Sequence, residues 1–336
     1  MWMRANRYWA PALSLFLLSP IIGELLSGSS PPIEFFNPLA FVFMAGLYGS
    51  GALIARELAF RWKKGWLSIL VLGAAYGIIE EGLEVKSFFD PNWMDLGPLG
   101  SYGRFLGVNW VWSVELTVYH AVFSIAIPIL LVSLLFPKEI DRAWVSDRTL
   151  RILFTVLILN VVLGFLFLTD YRPPFSSYLI AMGLVVSLFV LAYSLPQHWF
   201  EPRGGLAARP KRFYLLGLSF ATGLFLISWI IPSTGIPALL TIAALILLFY
   251  LSFRLLLRWS SNGHAWSQKH QLALAAGMLT FLITIAFVQE MWGPSNMVGM
   301  SLVALAFTVF LLYLWSRMGG KGSPKAPPEY RISNWK

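Results

Sequence analysis

Residues 73–86 read Gly73-Ala-Ala-Tyr-Gly-Ile-Ile-Glu-Glu-Gly-Leu-Glu-Val-Lys86, and they end an apolar run that is long enough to enter a lipid bilayer. Three carboxylates, Glu80, Glu81 and Glu84, lie within this run. At about 100° per residue in a helix, their side chains fall within an arc of roughly 100°, so they can face one cavity or one partner together. Carboxylates inside a membrane segment are expensive and indicate a functional site.

Composition places the whole chain in a membrane. Of its 336 residues, 57% are hydrophobic and 12% are charged, whereas an average soluble domain is about 25% charged. The apolar residues gather into continuous runs of about 17–25 residues, the length that crosses a hydrocarbon core of roughly 30 Å. These runs do not alternate as the strands of a membrane barrel do. The sequence therefore predicts an all-α, polytopic integral membrane helical bundle with about ten transmembrane helices and both termini cytoplasmic.

The predicted organisation is a single transmembrane domain over residues 1–318. A segment at 87–107 contains Pro, Gly and aromatic residues, which predicts an ordered extracytoplasmic loop. Residues 319–336 are polar and contain Pro, which predicts a flexible cytoplasmic tail. The approximate bounds of the ten spans are 9–26, 39–58, 66–85, 108–136, 152–169, 175–195, 213–231, 236–257, 271–288 and 297–315.

The charge pattern supports this topology. With the N-terminus inside, 22 of the 25 Lys and Arg residues fall on the cytoplasmic side, and the exceptions are Lys86, Arg104 and Arg172. The net charge of +9 is thus explained by the cytoplasmic ends of membrane helices. The expected partner is the lipid bilayer, and binding of nucleic acid is not expected. The chain lacks cysteine, which excludes a thiol nucleophile and a thiolate metal site. The predicted location is a bacterial-type cytoplasmic membrane.

Helix geometry places several polar residues at related depths. At about 1.5 Å per residue, Glu80, Glu81 and Glu115 lie within about 10 Å of the outer boundary. His120 and Asn160 reach roughly the bilayer midplane. Glu80, Glu81, His120 and Asn160 are the predicted catalytic residues. Structural alternatives remain open, with the glutamates as helix-end residues, His120 as a satisfied hydrogen-bonding group and Asn160 as interhelical glue.

A second group of polar and aromatic residues is predicted to line a substrate or ion pathway or its mouth, although packing within an ordered loop explains many of them equally well. Glu24 is interpreted as an interface or helix-end residue. The predicted pathway residues are Glu84, Glu115, Asp90, Asn92, Trp93, Tyr102, Arg104 and Asn109.

Two function classes fit these residues. The first is a transporter or channel for a cation or small solute, proton-coupled through Glu80, Glu81, Glu115 and His120, since Glu and His pass protons and attract positive substrates. The second is a membrane-embedded hydrolase in which a glutamate takes a proton from water while His or Asn stabilises an oxyanion. A lipid-modifying enzyme or a subunit of a membrane complex is a further alternative.

The residues Glu80-Glu81, Tyr119-His120 and Asn160 resemble the glutamate-dependent intramembrane proteases, namely the CAAX-processing and bacteriocin-processing group and the anti-sigma-factor-cleaving membrane proteases. The resemblance covers about a quarter of the chain. It implies Glu80 or Glu81 as general base, His120 and Asn160 as oxyanion stabilisers, and a membrane-anchored substrate. The chain departs from the pattern in the longer spacing from the glutamates to Lys86 and in the lack of a second intramembrane histidine.

A metal site is the last alternative. Glu80 and Glu84 stack at i,i+4, so they could join Glu115 and His120 in a carboxylate and histidine ligand set. No residue is assigned as a metal ligand on this basis, and the sequence names no cofactor.

Overall fold

The protein is an all-α, polytopic membrane bundle. A computed structural model describes residues 2–196, 201 and 203–318, with side chains from residue 9 onward. Within this part of the chain, nine helices are long and apolar enough to cross a membrane, and Trp9–Leu25 is a shorter apolar helix. The predicted tail at 319–336 lies outside the described residues. The helices are α1 (Trp2–Pro20, continuing through Leu25), α2 (Pro38–Arg61), α3 (Trp66–Glu84), α4 (Trp110–Leu135), α5 (Asp147–Phe167), α6 (Phe175–Ser194), α7 (Pro210–Trp229), α8 (Ala238–Trp259), α9 (Gln268–Trp292) and α10 (Met300–Arg317).

Helix α5 begins at Asp147, five residues before its predicted span at 152–169. Ser146 caps this end, because its side-chain oxygen accepts a hydrogen bond from the Thr149 backbone N–H at 3.1 Å. A polar cap of this kind lengthens a helix beyond its apolar run. Hydropathy detects only the apolar run, so the sequence-based span starts too late.

Each of the first four helices contains a π-helical segment. The segments are Ile21–Leu25 in α1, Ala45–Gly49 in α2, Ile79–Glu84 in α3 and His120–Ala126 in α4. π-Helical turns are rare, and those inside α-helices occur frequently at functional sites. Their concentration in α1–α4 indicates where the polar site of this bundle lies.

Two glycines one turn apart bring α3 against α4. A Cβ atom on Gly73 would lie 2.7 Å from Ala121 Cα, and one on Gly77 would lie 3.1 Å from His120 Cβ. Small residues at i and i+4 let membrane helices approach this closely. The contact holds the His120 backbone against the helix that carries the glutamates.

The connection between α3 and α4 lies at the same end of the bundle as the α1–α2 connection, an end called the loop face below. It contains a short antiparallel hairpin in which Arg104–Phe105 pairs with Val108–Asn109. The two turn residues, Leu106 and Gly107, both have positive φ values, of 52° and 77°, as a two-residue hairpin turn with the twist of its strands requires. Buried apolar side chains of this connection and of neighbouring helices form a small core that includes Leu83, Phe88, Phe89, Leu96, Leu99, Val111 and Trp112.

The opposite end of α2 holds a buried ion pair. Arg56 Nη1 lies 2.5 Å from Glu57 Oε1, and the two residues are 2% and 0% exposed. The guanidinium also donates to the Ile140 carbonyl at 2.8 Å, and Glu57 Oε1 accepts from the Trp144 backbone N–H at 2.8 Å. These contacts tie α2 to the α4–α5 connection.

The second half of the bundle joins the first through apolar contacts. Phe123 and Leu131 of α4 share a buried cluster with Leu224 of α7, Leu245 of α8 and Leu279 of α9. Helix α4 therefore lies between two environments, with the polar site on its α3 side and an apolar core on its α7–α9 side.

Candidate functional site

Three side chains form the centre of the site. His120 of α4 lies between the adjacent carboxylates of α3: its Nδ1 is 3.1 Å from Glu80 Oε2, and its Nε2 is 3.1 Å from Glu81 Oε1. None of the three residues is more than 9% exposed. Imidazole carries its two nitrogens on different edges of the ring, so one ring can bridge two carboxylates. We call Glu80, His120 and Glu81 the bridged triad.

Neighbouring hydroxyl groups fix the orientation of the triad. Ser124, one turn after His120, places its Oγ 3.0 Å from His120 Nδ1. Ser87 donates its hydroxyl proton to Glu81 Oε2 and accepts a hydrogen bond from Trp112 Nε1 at 3.0 Å. Each member of the triad therefore has a partner that limits its rotation, as a preorganised catalytic group requires.

A third carboxylate, that of Glu24, is connected to the triad through a tyrosine. The Tyr48 hydroxyl of α2 lies within hydrogen-bonding distance of Glu80 Oε1 and also of Glu24 Oε1 on α1. Tyr48 is 1% exposed, whereas Glu24 is only half-buried. The π-helical segments of α1 to α4 thus each supply a side chain to one connected group.

This group contains more carboxylates than cations. In the described structure, the ion pairs of Glu80 and Glu81 are both made with His120. Lys86 points away from them, because its Nζ donates to the carbonyls of Phe165 at 2.8 Å and Thr169 at 3.1 Å at the end of α5. Burial lowers the pKa of the Lys86 ammonium from its usual value. Since unpaired buried charge is costly, the charge balance of these two glutamates depends on His120 in the described structure.

Glu84 and Asn160 lie on the side of the site that faces α5. Glu84 is fully buried, and neither of its carboxylate oxygens has a hydrogen-bond partner. A Cβ atom on Gly164 would lie 2.2 Å from Glu84 Cγ, so α5 covers this carboxylate. Asn160, one turn earlier on α5, donates its amide to the Val156 carbonyl at 2.9 Å and packs near Gly46 of α2.

Glu115 lies on another side of α4. It is 1% exposed, and Ser228 and Trp229 of α7 are among its polar neighbours. Neither Glu115 oxygen makes a hydrogen bond, and the same holds for Ser228 Oγ. The structure therefore places Glu115 at the interface between the two halves of the bundle, apart from the bridged triad.

The predicted loop residues mainly hold the loop together. Arg104 donates to the carbonyl oxygens of Phe89 at 2.7 Å and Asp90 at 3.2 Å. Asp90 Oδ1 in turn accepts a hydrogen bond from the Asn92 backbone N–H at 2.9 Å. The Arg104 guanidinium thus satisfies backbone carbonyls within the connection.

The remaining loop residues anchor the connection to helices. Asn109 caps α4 by accepting from the Trp112 backbone N–H at 3.1 Å. Tyr102 donates to the Ile236 carbonyl at 2.8 Å, just before α8. Trp93 packs on the apolar core of the connection. None of these side chains contacts the triad in the described hydrogen-bond network.

The triad also offers a possible set of metal ligands. One ligand atom from each of Glu80, Glu81 and His120 lies within 4.8 Å of the others, in the part of the chain that the structure describes. However, His120 presents a different nitrogen to each carboxylate. A cation bound to either nitrogen would displace one of these contacts, so the geometry fits a histidine paired with two carboxylates better than a metal centre. The ligand set considered from sequence, which included Glu84 and Glu115, is not brought together.

A family model described as an uncharacterized membrane protein family matches residues 13–318. The chain belongs to this membrane protein family. The match covers helices α2 to α10 and the second half of α1. It supports an integral membrane protein, but it does not support the resemblance to glutamate-dependent intramembrane proteases. No curated protein and no solved structure matches the chain.

Sequence reasoning missed several residues that contact the triad or its partners, among them Glu24, Tyr48, Ser87 and Ser124. Glu24 was interpreted as a helix-end residue, and Tyr48 and Ser124 were not singled out. Glu24 carried a usable signal, because it is a carboxylate within an apolar run. Tyr48 and Ser124 carried none, because Tyr and Ser are common in membrane helices and a π-helical turn leaves no mark in the hydrophobic pattern.

Proposed function

We propose that the protein is a membrane-embedded hydrolase that cleaves an acyl bond in a membrane-anchored substrate. The observation that carries this proposal is the bridging of Glu80 and Glu81 by His120, at 3.1 Å on each side. Acyl-transfer sites are built from three groups in sequence. A second group holds the nucleophile or base, and a third group orients the second. The pairing of Glu-Glu with a histidine on the next helix also agrees with the sequence resemblance to glutamate-dependent proteases.

We infer different roles for the two glutamates from their contacts. Glu80 and Ser124 both face His120 Nδ1 and orient the ring. Glu81 faces Nε2 and is the more exposed of the two glutamates, at 9% against 5%. We therefore assign Glu81 as the general base and His120 Nε2–H as the oxyanion donor, with Glu80 as a positioning residue.

In the proposed step, Glu81 removes a proton from water while the water oxygen forms a bond to the substrate carbonyl carbon. The carbonyl π electrons move to the carbonyl oxygen. Because protonation of Glu81 weakens its contact with Nε2–H, this N–H can turn to donate to the oxyanion. The tetrahedral intermediate then collapses and breaks the bond to the leaving group, which takes the proton from Glu81. Water and the acyl substrate are consumed, an acid and the leaving amine or alcohol are produced, and Glu81 is regenerated.

The environment of the site favours hydrolysis over transport. A transporter needs a polar path that continues beyond the carboxylates. Beneath the triad, the buried side chains of α1, α3 and α4 include Leu15, Leu72 and Ile129 of an apolar core. In α7 and α9, the buried middle residues are also apolar, for example Leu224 and Leu279. A cluster of carboxylates with apolar side chains beneath it suits a reaction centre better than a transport path.

The experiment compares wild type with Glu81→Gln and His120→Gln in proteoliposomes, with cleavage of a membrane-anchored polypeptide reporter and ion flux both measured. We expect each substitution to reduce cleavage by about 10²–10⁴-fold, the usual contribution of a positioned acid–base group, without any flux in the wild type. The matched control is Glu115→Gln, which neutralises an equally buried carboxylate outside the triad and should cleave normally.

Two outcomes contradict the proposal. Wild-type flux that disappears in Glu81→Gln would assign the triad to transport. Cleavage that falls equally in Glu81→Gln and Glu115→Gln would trace the loss to the bundle rather than to the triad.

We also propose that both termini are cytoplasmic in a bacterial-type membrane and that the loop face is extracytoplasmic. The support is the location of 22 of 25 Lys and Arg residues on the opposite side. The absence of native cysteine makes labelling direct. Ser101→Cys on the loop face should react with a membrane-impermeant maleimide in intact cells, and Asp141→Cys only after permeabilisation. The reverse pattern would invert the topology.

A further inference from the structure

A chain of close polar contacts, three of them hydrogen bonds and the last an ion-pair contact, connects the loop face with the triad. It begins at Ser30, whose hydroxyl donates to Glu24 Oε2 at 2.7 Å. The Tyr48 hydroxyl bridges the other oxygen of Glu24 to Glu80 Oε1. The second oxygen of Glu80 lies 3.1 Å from His120 Nδ1. Every link joins side-chain atoms that can accept or donate a proton.

Exposure falls along this chain from its outer end to its inner end. Ser30 and Glu24 are half-buried, whereas Tyr48 is 1% and His120 is 2% exposed. Ser30 lies in the connection between α1 and α2, at the loop face. The chain therefore has one end that water reaches and one end at the triad.

The middle link of this chain has fewer protons than hydrogen-bonding contacts. The Tyr48 hydroxyl has a single proton but contacts two carboxyl groups, Glu24 and Glu80. Two full hydrogen bonds at this hydroxyl require that one carboxyl group is itself protonated and donates to the tyrosine oxygen. Exchanging which carboxyl group carries the proton moves it between the outer and inner ends of the chain.

We propose that Glu24 and Tyr48 are the proton entry of the site, through which Glu80 and His120 exchange protons with the loop-face solution. The role in turnover rests on the proposed hydrolase function, whereas the exchange itself does not. The titratable groups that face this chain come from all four helices around it. They are Glu24 on α1, Tyr48 on α2, Tyr76, Glu80, Glu81 and Glu84 on α3, and Tyr119 and His120 on α4.

The first experiment measures proton exchange without any substrate. Wild type, Tyr48→Phe and Glu24→Gln are placed in proteoliposomes, transferred to D₂O, and followed by the infrared carboxyl band of the buried glutamates. We expect Tyr48→Phe to slow this exchange by about 100-fold, the lower end of what a positioned proton-transfer group contributes. The control is Tyr119→Phe, because Tyr119 is equally buried beside His120 but donates to the Gly23 carbonyl at 2.7 Å instead of to a carboxyl group.

The second experiment measures the pH dependence of reporter cleavage in the same variants. We expect Tyr48→Phe and Glu24→Gln to shift the pH profile of kcat while leaving KM unchanged, and Tyr119→Phe to leave both unchanged. A residue that only supports the fold would lower activity without moving the profile.

The outcomes separate this inference from the proposed function. Normal exchange in Tyr48→Phe, or slowing to the same extent in Tyr119→Phe, would overturn the proton entry even if cleavage occurs. Slowed exchange only in the entry variants would support it even if the wild type cleaves no reporter, in which case the hydrolase proposal alone would fail.

Discussion

Gly73→Ala tests whether the close approach of α3 and α4 builds the site. The added Cβ would lie 2.7 Å from Ala121 Cα and 3.0 Å from Ala121 O. Both distances are shorter than the about 3.5–4.0 Å of favourable contact between non-bonded atoms. The contacting atoms belong to the backbone, so no side-chain rotation relieves the clash. The helices must separate by roughly 1 Å at this level.

The cost follows from two opposing effects. Overpacking a well-packed interface costs about 1–3 kcal/mol, while replacing an interior helical glycine by alanine gains up to about 1 kcal/mol in helix propensity. Gly183→Ala supplies the matched control, because Gly183 is also inside a helix but nothing lies within 4 Å of an added Cβ. The propensity gain is common to both variants, so Gly73→Ala should be less stable than Gly183→Ala by about 1–3 kcal/mol.

The same displacement should reach the chemistry. His120 directly precedes Ala121, so separation of the helices lengthens the 3.1 Å contacts between His120 and the glutamates. A misplacement of about 1 Å can reduce a reaction rate about 100-fold. Stability is measured by SDS titration in mixed micelles with tryptophan fluorescence, and activity by reporter cleavage. Equal stability and equal cleavage in Gly73→Ala and Gly183→Ala would refute the argument that this contact positions the triad.

Three further predictions follow from buried contacts and from the triad. Asn109→Ala removes the cap of α4, so it should destabilise the protein by about 1 kcal/mol and expose the α3–α4 loop to protease. Asn92→Ala should change neither stability nor proteolysis. Equal proteolysis of the two variants would contradict this prediction. Glu57→Gln breaks a fully buried ion pair and should cost about 3–5 kcal/mol of unfolding free energy, against less than about 1 kcal/mol for the surface pair broken by Glu139→Gln. Treatment with a chelator should leave reporter cleavage unchanged, and a loss that zinc or manganese restores would show that the triad binds a metal.

The sequence was sufficient to predict a multi-helix membrane protein and several residues of the candidate site. Glu80, Glu81 and His120 were predicted to share one catalytic site, and His120 lies 3.1 Å from each glutamate. The depth estimate instead grouped the glutamates with Glu115 and put His120 near the midplane. Asn160 was placed at a similar depth, yet its amide bonds to its own helix. Depth along a membrane helix follows from residue number, but the direction in which a side chain points depends on the rotation of that helix.

The boundary between sequence and tertiary structure has a physical basis. Runs of apolar residues determine the spans, because transfer of each segment into lipid depends on that segment alone. The partners of a buried polar group depend on several helices at once. Four π-helical turns and the glycine contact between α3 and α4 set the rotation and approach of those helices. Those features brought Glu24 and Tyr48 to the triad, and they arise from packing that no single segment encodes.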